Sequence, residues 1–458
     1  MHRYDVFPQV VPADRESIIR IHPRFEHVKL KPTRQLQVVC APWTGITRDG
    51  MLDAYRWGAK DGEPVRWEMD GDDIILRHHF AGEQEHNIQL LISDRENPDF
   101  FENRSVRLYS LAPDLLALRP FKGDTHIHTT GSDGKEEPRY VAARYRQKGF
   151  DFIAVTDHRN YAPSLTAREF WAKRTPDFRI FPGEEVHAPD NPVHIVNFGG
   201  GSSVNAECFG DEAAYRREVA EIAAKLPDTM PERVRFVTAS CRWVFDRIRA
   251  GGGLAIYAHP YWKMTRNVLP MPLVDAVFDD RKYDAVELLG GFYREEAEAN
   301  NLQMLRCFEQ WAKGNTFPVV GASDSHGTEV FPCNRAQVTD YIGRSTTVGA
   351  DADLFNWYCT LVLAEDDAAS SLISAIRQGR SVAVEAIPGG VPRIYGRERL
   401  ARYFSFLLRE YFPIHDPLCL AQGDAMIDLL AGDDGAEQRL SLLHGRAAAR
   451  REKFFAAC

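Results

Sequence analysis

Over residues 1 to about 120 the apolar positions come in short runs, such as Leu36-Gln37-Val38-Val39-Cys40, Ile74-Ile75-Leu76 and Ile88-Gln89-Leu90-Leu91-Ile92. Turn residues interrupt them at Asp49-Gly50, Asp61-Gly62-Glu63-Pro64 and Asp70-Gly71-Asp72-Asp73. Short β-type runs between such breaks predict strands, and this many of them predict an antiparallel, sandwich-like domain over 1–120. Asn97-Pro98 and Ala112-Pro113-Asp114 lead out of it.

The pattern then changes. From 121 to 390, apolar runs alternate with longer segments of helical period. A helix over Pro138 to Gly149 precedes the run Phe152-Ile153-Ala154-Val155. A helix around Ser240 to Ala250 stops at Gly251-Gly252-Gly253 and precedes Leu254-Ala255-Ile256-Tyr257-Ala258. Ala285-Val286-Glu287-Leu288-Leu289 comes before a helix from about Arg294 to Lys313, and Pro318-Val319-Val320-Gly321-Ala322 comes after it. Strand-helix alternation at this length predicts an α/β barrel or a doubly wound sheet. Beyond it, Tyr403 to Leu408 and Ile427 to Leu430 predict a helical tail over 391–458, jointed at Phe412-Pro413 and Asp416-Pro417.

Composition narrows the class. The 458 residues are 44% hydrophobic and 26% charged, which suits a globular protein of two or three domains. A formal net charge of −9 argues against a protein that coats nucleic acid, without excluding a local basic groove. The eight cysteines form no C-x-x-C pair, so they are expected to be reduced thiols in a cytoplasmic protein. No run approaches the ~18 apolar residues of a membrane span, and the first residues lack a signal peptide's basic-then-apolar pattern. The basic stretch Arg446, Arg450, Arg451 and Lys453 is expected to be a solvated helix end rather than a phosphate contact. Gly199-Gly200-Gly201 and Gly251-Gly252-Gly253 lack the pattern of a phosphate loop.

The chemistry is concentrated in the central region. His126-Ile127-His128 and Asp133 open it, and Asp157-His158 follow an apolar run. Glu185 follows Arg179-Ile180-Phe181-Pro182-Gly183, His259 ends the run from Leu254, and Asp324-Ser325-His326 end the run from Val319. Four strands ending in a metal-competent side chain predict one shared metal site, because parallel strands bring those ends to a common face. His78, His79 and His86 lack partners at ligand spacing and are expected to be exposed strand or loop residues.

The motifs D-T-H-I-H, S-D-G, V-T-D-H, P-G-E-E-V, H-I-V-N-F-G, A-H-P-Y and G-A-S-D-S-H-G, in this order, resemble those of the PHP domain of polymerases and histidinol phosphatases. The stretch Ala375 to Ser381 resembles that family's closing helix and turn. The resemblance implies a distorted (β/α)7 barrel holding two to three divalent ions. It implies that His126, His128 and Asp324 hold one ion and that a glutamate bridges to a second, completed by His194 and His259. Either Glu184 or Glu185 fits that position, and the family's Gly-x-Glu spacing favours Glu185. Asp133, His158 and His326 would hold the third. His187 is at no family position and is expected to support the site.

A ligand set of His and carboxylate without thiolate suits Zn, Mn or Fe. Ions sharing a carboxylate bring the pKa of a water toward ~7 and neutralise phosphate oxygens. The expected function is therefore a metal-dependent phosphoesterase acting on a small phosphorylated substrate, a nucleotide or an oligonucleotide end. Asp157 is expected to orient the site, with Asp124 in a similar place. Arg159, Lys263 and Arg335 are candidate phosphate contacts, and Tyr261 and Trp262 line the cleft or pack in the core. The alternatives are a 5′-3′ exonuclease on short RNA or DNA, and a silent metal-stabilised scaffold.

Overall fold

A computed structural model describes residues 3–48, 50–51, 62–262, 269–291, 294–328, 355, 357–387 and 390–455. The chain divides into two compact units. The first comprises Met1–Arg119, Arg402–His415 and Gly445–Cys458, and the second comprises Pro120–Ala401 and Asp416–His444.

The first unit has two sheets. One orders Tyr4–Phe7, Arg15–Pro23, Asp73–Phe80 and Arg66–Asp70, and the other orders Val10–Pro12, Phe101–Leu111, Gln84–Asp94, Arg34–Pro42 and Glu63–Pro64. The pairings are antiparallel except that Val10–Pro12 runs parallel to Phe101–Leu111. Period-two alternation sets the inner faces: Ile19 and Ile21 are buried while Ile18, Arg20 and His22 face outward. Ile19, Ile21, Leu76 and Phe80 of one sheet share a core with Cys40, Ile88, Leu90 and Leu108 of the other, which makes the pair a sandwich.

His86 departs from the expected exposure. It shares the inward face of its strand with Ile88 and Leu90 and is buried. Its Nε2 is 2.8 Å from Ser110 Oγ and its Nδ1 is 3.8 Å from Cys40 Sγ. Burial pushes its pKa down to about 3, and that of half-buried His78 to about 4.

The second unit also has two sheets. Six strands are ordered Arg179–Phe181, Phe152–Ala154, Arg119–Asp124, Tyr358–Ala364, Ser381–Glu385 and Arg393–Tyr395, and five are ordered Gly183–Val186, Ile195–Phe198, Leu254–Tyr257, Ala285–Leu289 and Val319–Gly321. Leu254–Tyr257 and Ala285–Leu289 are buried throughout. Ala255 and Tyr257 enter one core and Leu254 and Ile256 the other, as expected for strands covered on both faces.

The expected (β/α)7 closure is not found among the described residues, whose strands divide into two sheets. The physical break is at Pro182, which lacks an N–H and separates Arg179–Phe181 from Gly183–Val186. Ile195–Phe198 then runs antiparallel to both its neighbours. The two sheets are stitched by single bridges, His158 to Glu185 and Ile127 to Ser325, and by Thr360 Oγ1, which lies 3.0 Å from Gly321 N and 2.8 Å from Gly321 O.

The tail is not a separate extension. It forms the helices Glu398–Glu410, Phe412–Leu430, Ala436–Leu443 and Arg446–Phe454, but 402–415 and 445–458 belong to the first unit and 416–444 to the second. Tyr403 and Phe406 pack on Tyr109 with centroids 4.9 and 5.4 Å away, while Arg146 donates to Gln422 at 2.6 Å in the second unit. The basic end is engaged rather than solvated: Arg450 pairs with Asp5 at 3.2 Å, Lys453 lies 3.7 Å from the Phe7 ring centroid, and Arg451 donates to Tyr411 Oη at 3.2 Å. The six described cysteines are buried and form no disulfide, and Cys333 and Cys458 lie outside the described residues. Among the described residues, no helix is long and apolar enough to cross a membrane.

Candidate metal centre

The nine side chains expected to hold metal come together in the second unit. His126 and His128 follow Arg119–Asp124, His158 follows Phe152–Ala154, and Glu185 lies within Gly183–Val186. His259 follows Leu254–Tyr257, and Asp324 and His326 follow Val319–Gly321. His194 enters differently. It precedes Ile195–Phe198, and that strand's antiparallel course brings its start beside the end of Gly183–Val186, where Val186 pairs with Ile195.

Glu185 is the hub. Its Oε1 is 2.8 Å from His194 Nδ1 and 3.3 Å from His259 Nε2. Its Oε2 is 2.5 Å from His158 Nδ1 and 3.6 Å from the Nε2 atoms of both His126 and His128. Asp324 Oδ1 is 2.9 Å from His128 Nε2 and 3.3 Å from His126 Nε2. On the outer side Asp133 is 3.6 Å from His158 Nε2 and 3.3 Å from His326 Nε2. The groups that converge closely enough to share an ion include Glu185 with His194 and His259, His126 with His128 and Glu185, and His128 with Asp133, His158 and His326.

Backbone strain accompanies this convergence. His259, Asp324 and Arg159 are non-glycine residues at φ 24°, 50° and 53°. Such conformations persist where the surroundings over-determine them, and they cluster at functional sites.

The electrostatics are divided. Burial works against the charge of Glu185, but His158, His194 and His126 hold its carboxyl well below the usual range. His158 is likewise opposed by burial yet pushed up to about 10 by Glu185 and Asp133. Burial and the neighbouring His326 push His128 down to about 3, and burial brings His194 to about 4.

The surrounding residues sort by what they touch. Asp157 accepts from Thr129 N at 2.8 Å, Thr129 Oγ1 at 2.6 Å and Ser132 Oγ at 2.6 Å, so it fixes the loop that carries Asp133. Asp124 accepts from His126 N at 3.1 Å and Ser323 N at 3.2 Å, tying two ligand segments together. Glu184 points away from the cluster. It accepts from Ser203 Oγ at 2.7 Å and Asn205 Nδ2 at 2.9 Å at the start of the helix Val204–Gly210. Arg159 is exposed, with its guanidinium 5.3 Å from the Phe209 ring centroid. Trp262 is 5.6 Å from the His194 ring, whereas Tyr261 packs toward Phe278. Lys263 and Arg335 lie outside the described residues.

Two members of the cluster exceed the expected set. His187 Nε2 is 2.8 Å from His158 Nδ1 and 3.4 Å from Glu185 Oε2. Glu287 Oε2 is 3.0 Å from His126 Nδ1, fully buried. Its signal in the sequence was a lone charge within the apolar run Ala285 to Leu289.

These residues fit a set of divalent ions. Glu185 Oε2, His194 Nδ1 and Asp324 Oδ1 are buried without a hydrogen bond, although Glu185 Oε2 and His194 Nδ1 each have a partner atom within 2.8 Å. Their lone pairs converge on shared space instead of aligning donor to acceptor, and leaving such groups unsatisfied is costly. Ligands about 2.1 Å from an ion stand roughly 3.0–3.4 Å apart, near the separations found here.

No protein-family model matches the chain. The chain is similar to the DNA polymerase/3′-5′ exonuclease PolX of Bacillus subtilis, at 30% identity over 130 residues, covering 20% of this chain. It spans 23% of that relative's length. Among solved structures it is similar to a two-domain protein of Bacteroides vulgatus containing a predicted PHP-like metal-dependent phosphoesterase. The identity is 19%, with 64% of this chain and 71% of that one covered and a TM-score of 0.40. A proposed metal-dependent phosphoesterase of Bifidobacterium adolescentis matches at 21% identity over 45% of this chain and 87% of that one, with a TM-score of 0.31. The chain resembles PHP-like metal-dependent phosphoesterases, as its motifs imply.

Proposed function

We propose that this protein is a metal-dependent phosphoesterase that hydrolyses a phosphomonoester, or the phosphate of a nucleotide or short oligonucleotide. The observation that carries the reading is the convergence of nine side chains from distant parts of the chain around Glu185, with buried ligand atoms left unsatisfied. Zn, Mn or Fe ions bound there would lower the pKa of a water to near neutrality and neutralise charge on the phosphate.

His126, His128 and Asp324 would hold one ion and Glu185 would bridge it to a second held by His194 and His259. Asp133, His158 and His326 would hold a third. Asp157 keeps Asp133 in reach by fixing residues 129–132. Arg159 stands exposed one residue beyond His158, its left-handed backbone donating to Glu185 O at 3.1 Å. Stacked on Phe209, its guanidinium is held to meet an anionic group of the substrate. Trp262 forms an apolar wall beside His194.

A second reading, an exonuclease acting on an RNA or DNA end, draws support from the name of the Bacillus subtilis relative. The test is elemental analysis of protein purified without chelator, followed by chelation. Two to three equivalents of Zn, Mn or Fe are expected, lost together with hydrolysis of an aryl phosphate. Protein that binds no ion even after reconstitution would sink the mechanism and favour a scaffold.

A further inference from the structure

Glu287 is the one charged residue of Ala285–Leu289, a strand buried at every position. Its neighbours Val286 and Leu288 enter one core and Ala285 enters the other, so alternation turns Glu287 to the face of Ala285. An isolated carboxylate there is expensive unless something engages it. What engages it is His126, through Glu287 Oε2 and His126 Nδ1 at 3.0 Å.

That contact has a direction. A carboxylate only accepts, so Nδ1 carries the hydrogen, and in the neutral ring that binds a metal ion the lone pair is then on Nε2. Nε2 is the atom that faces Asp324 Oδ1 at 3.3 Å and Glu185 Oε2 at 3.6 Å. His326 is set the same way by a neutral group, its Nδ1 being 2.8 Å from Asp324 O. Gly290 supplies the room: a Cβ built there would collide with Glu287 Oε1, an atom that is buried without a hydrogen bond.

We propose that Glu287 is a positioning residue that fixes the tautomer and orientation of His126, so that His126 presents Nε2 to a metal ion with a carboxylate behind it. This rests on the second unit being a metal centre and adds a member to the machinery that the motif resemblance does not include. Partners of this kind change metal affinity by about 10–100-fold when removed.

The experiment is calorimetric titration of chelator-treated full-length protein with Mn²⁺ and with Zn²⁺, for Glu287→Gln, Glu287→Leu and Gly290→Ala. Glu287→Gln keeps an acceptor but loses the charge and is expected to weaken one binding step by about 10-fold. Glu287→Leu loses both and is expected to weaken it by about 100-fold. The melting temperature of the metal-free Glu287→Leu protein should stay level or rise, since an apolar side chain suits that strand. Gly290→Ala, which leaves Glu287 present but displaced, should also weaken binding. A purely structural glutamate would instead lower the metal-free melting temperature and leave the binding constants alone. Unchanged stoichiometry and affinity in Glu287→Leu overturns the proposal, and so does an unmodified protein that binds no ion. If ions bind but no phosphoester is hydrolysed, the functional reading falls and the affinity series still decides the role of Glu287.

Discussion

His86 in the sandwich is buried and His158 in the metal centre is partly buried, and their surroundings make them different chemical objects. His86 meets a hydroxyl and a thiol, each neutral, and burial pushes its pKa down to about 3. It is a polar residue accommodated in a core. His158 lies against Glu185 and Asp133, which together overcome burial and push it up to about 10. Around it, His128 and His194 are pushed the other way, to about 3 and about 4. The difference is marked by the buried carboxylate oxygens of the cluster that lack hydrogen bonds, Glu185 Oε2 and Asp324 Oδ1. Burial of an imidazole therefore says little about function, whereas buried carboxylates lacking hydrogen bonds beside imidazoles say a great deal.

Ligand removal should give the largest contrast. His126→Ala or Asp324→Ala is expected to abolish aryl phosphate hydrolysis and lose at least one equivalent of metal, with the circular dichroism of the fold retained. His86→Ala should leave both metal content and activity in place; full activity in either ligand variant would refute the site. Chelation comes next. Ions present at about a thousandfold their Kd stabilise the unit that binds them by about 4 kcal/mol, so hydrogen exchange in the second unit should accelerate on chelation and that in the sandwich should not. Equal acceleration in both would erase the comparison.

His86→Ala opens a cavity in the sandwich and is expected to destabilise it by roughly 2–4 kcal/mol, seen in denaturant unfolding. The most gradual effect is on pH. The folded pKa of His86, about 3, lies below its ordinary 6.5, so between these values the unfolded chain holds the extra proton. Sandwich stability should thus be full above pH 6.5 and fall as pH drops toward 3, by at most about 1.4 kcal/mol per pH unit from this group. His86→Gln should flatten that slope.

The sandwich was legible in its turn-bounded runs, and the ligand-bearing strand ends were legible because four apolar runs each stop at a His, Asp or Glu. His194 needed the motif resemblance, since it starts its strand rather than ending one. His187 was expected to support the site, and it stands two residues beyond Glu185, where an extended chain puts both side chains on one face. Glu287 was missed because a lone charge in an apolar run carries no spacing signal. Strand-helix alternation does not show that Pro182 separates one sheet from the next, so the division into two sheets was not legible. The tail's helices were legible, but their division between units depends on distant contacts such as those of Tyr109 and Arg146.

The sandwich carries its own timetable. Asp5 pairs with Arg450 across 445 residues of chain, and Gln9 N donates to Phe454 O. At roughly 5–20 residues per second, the ribosome needs tens of seconds between making the first strands and making the helix that covers them. The contacts that Asp5 and Gln9 make with Arg450 and Phe454 thus form only after that helix has been synthesised.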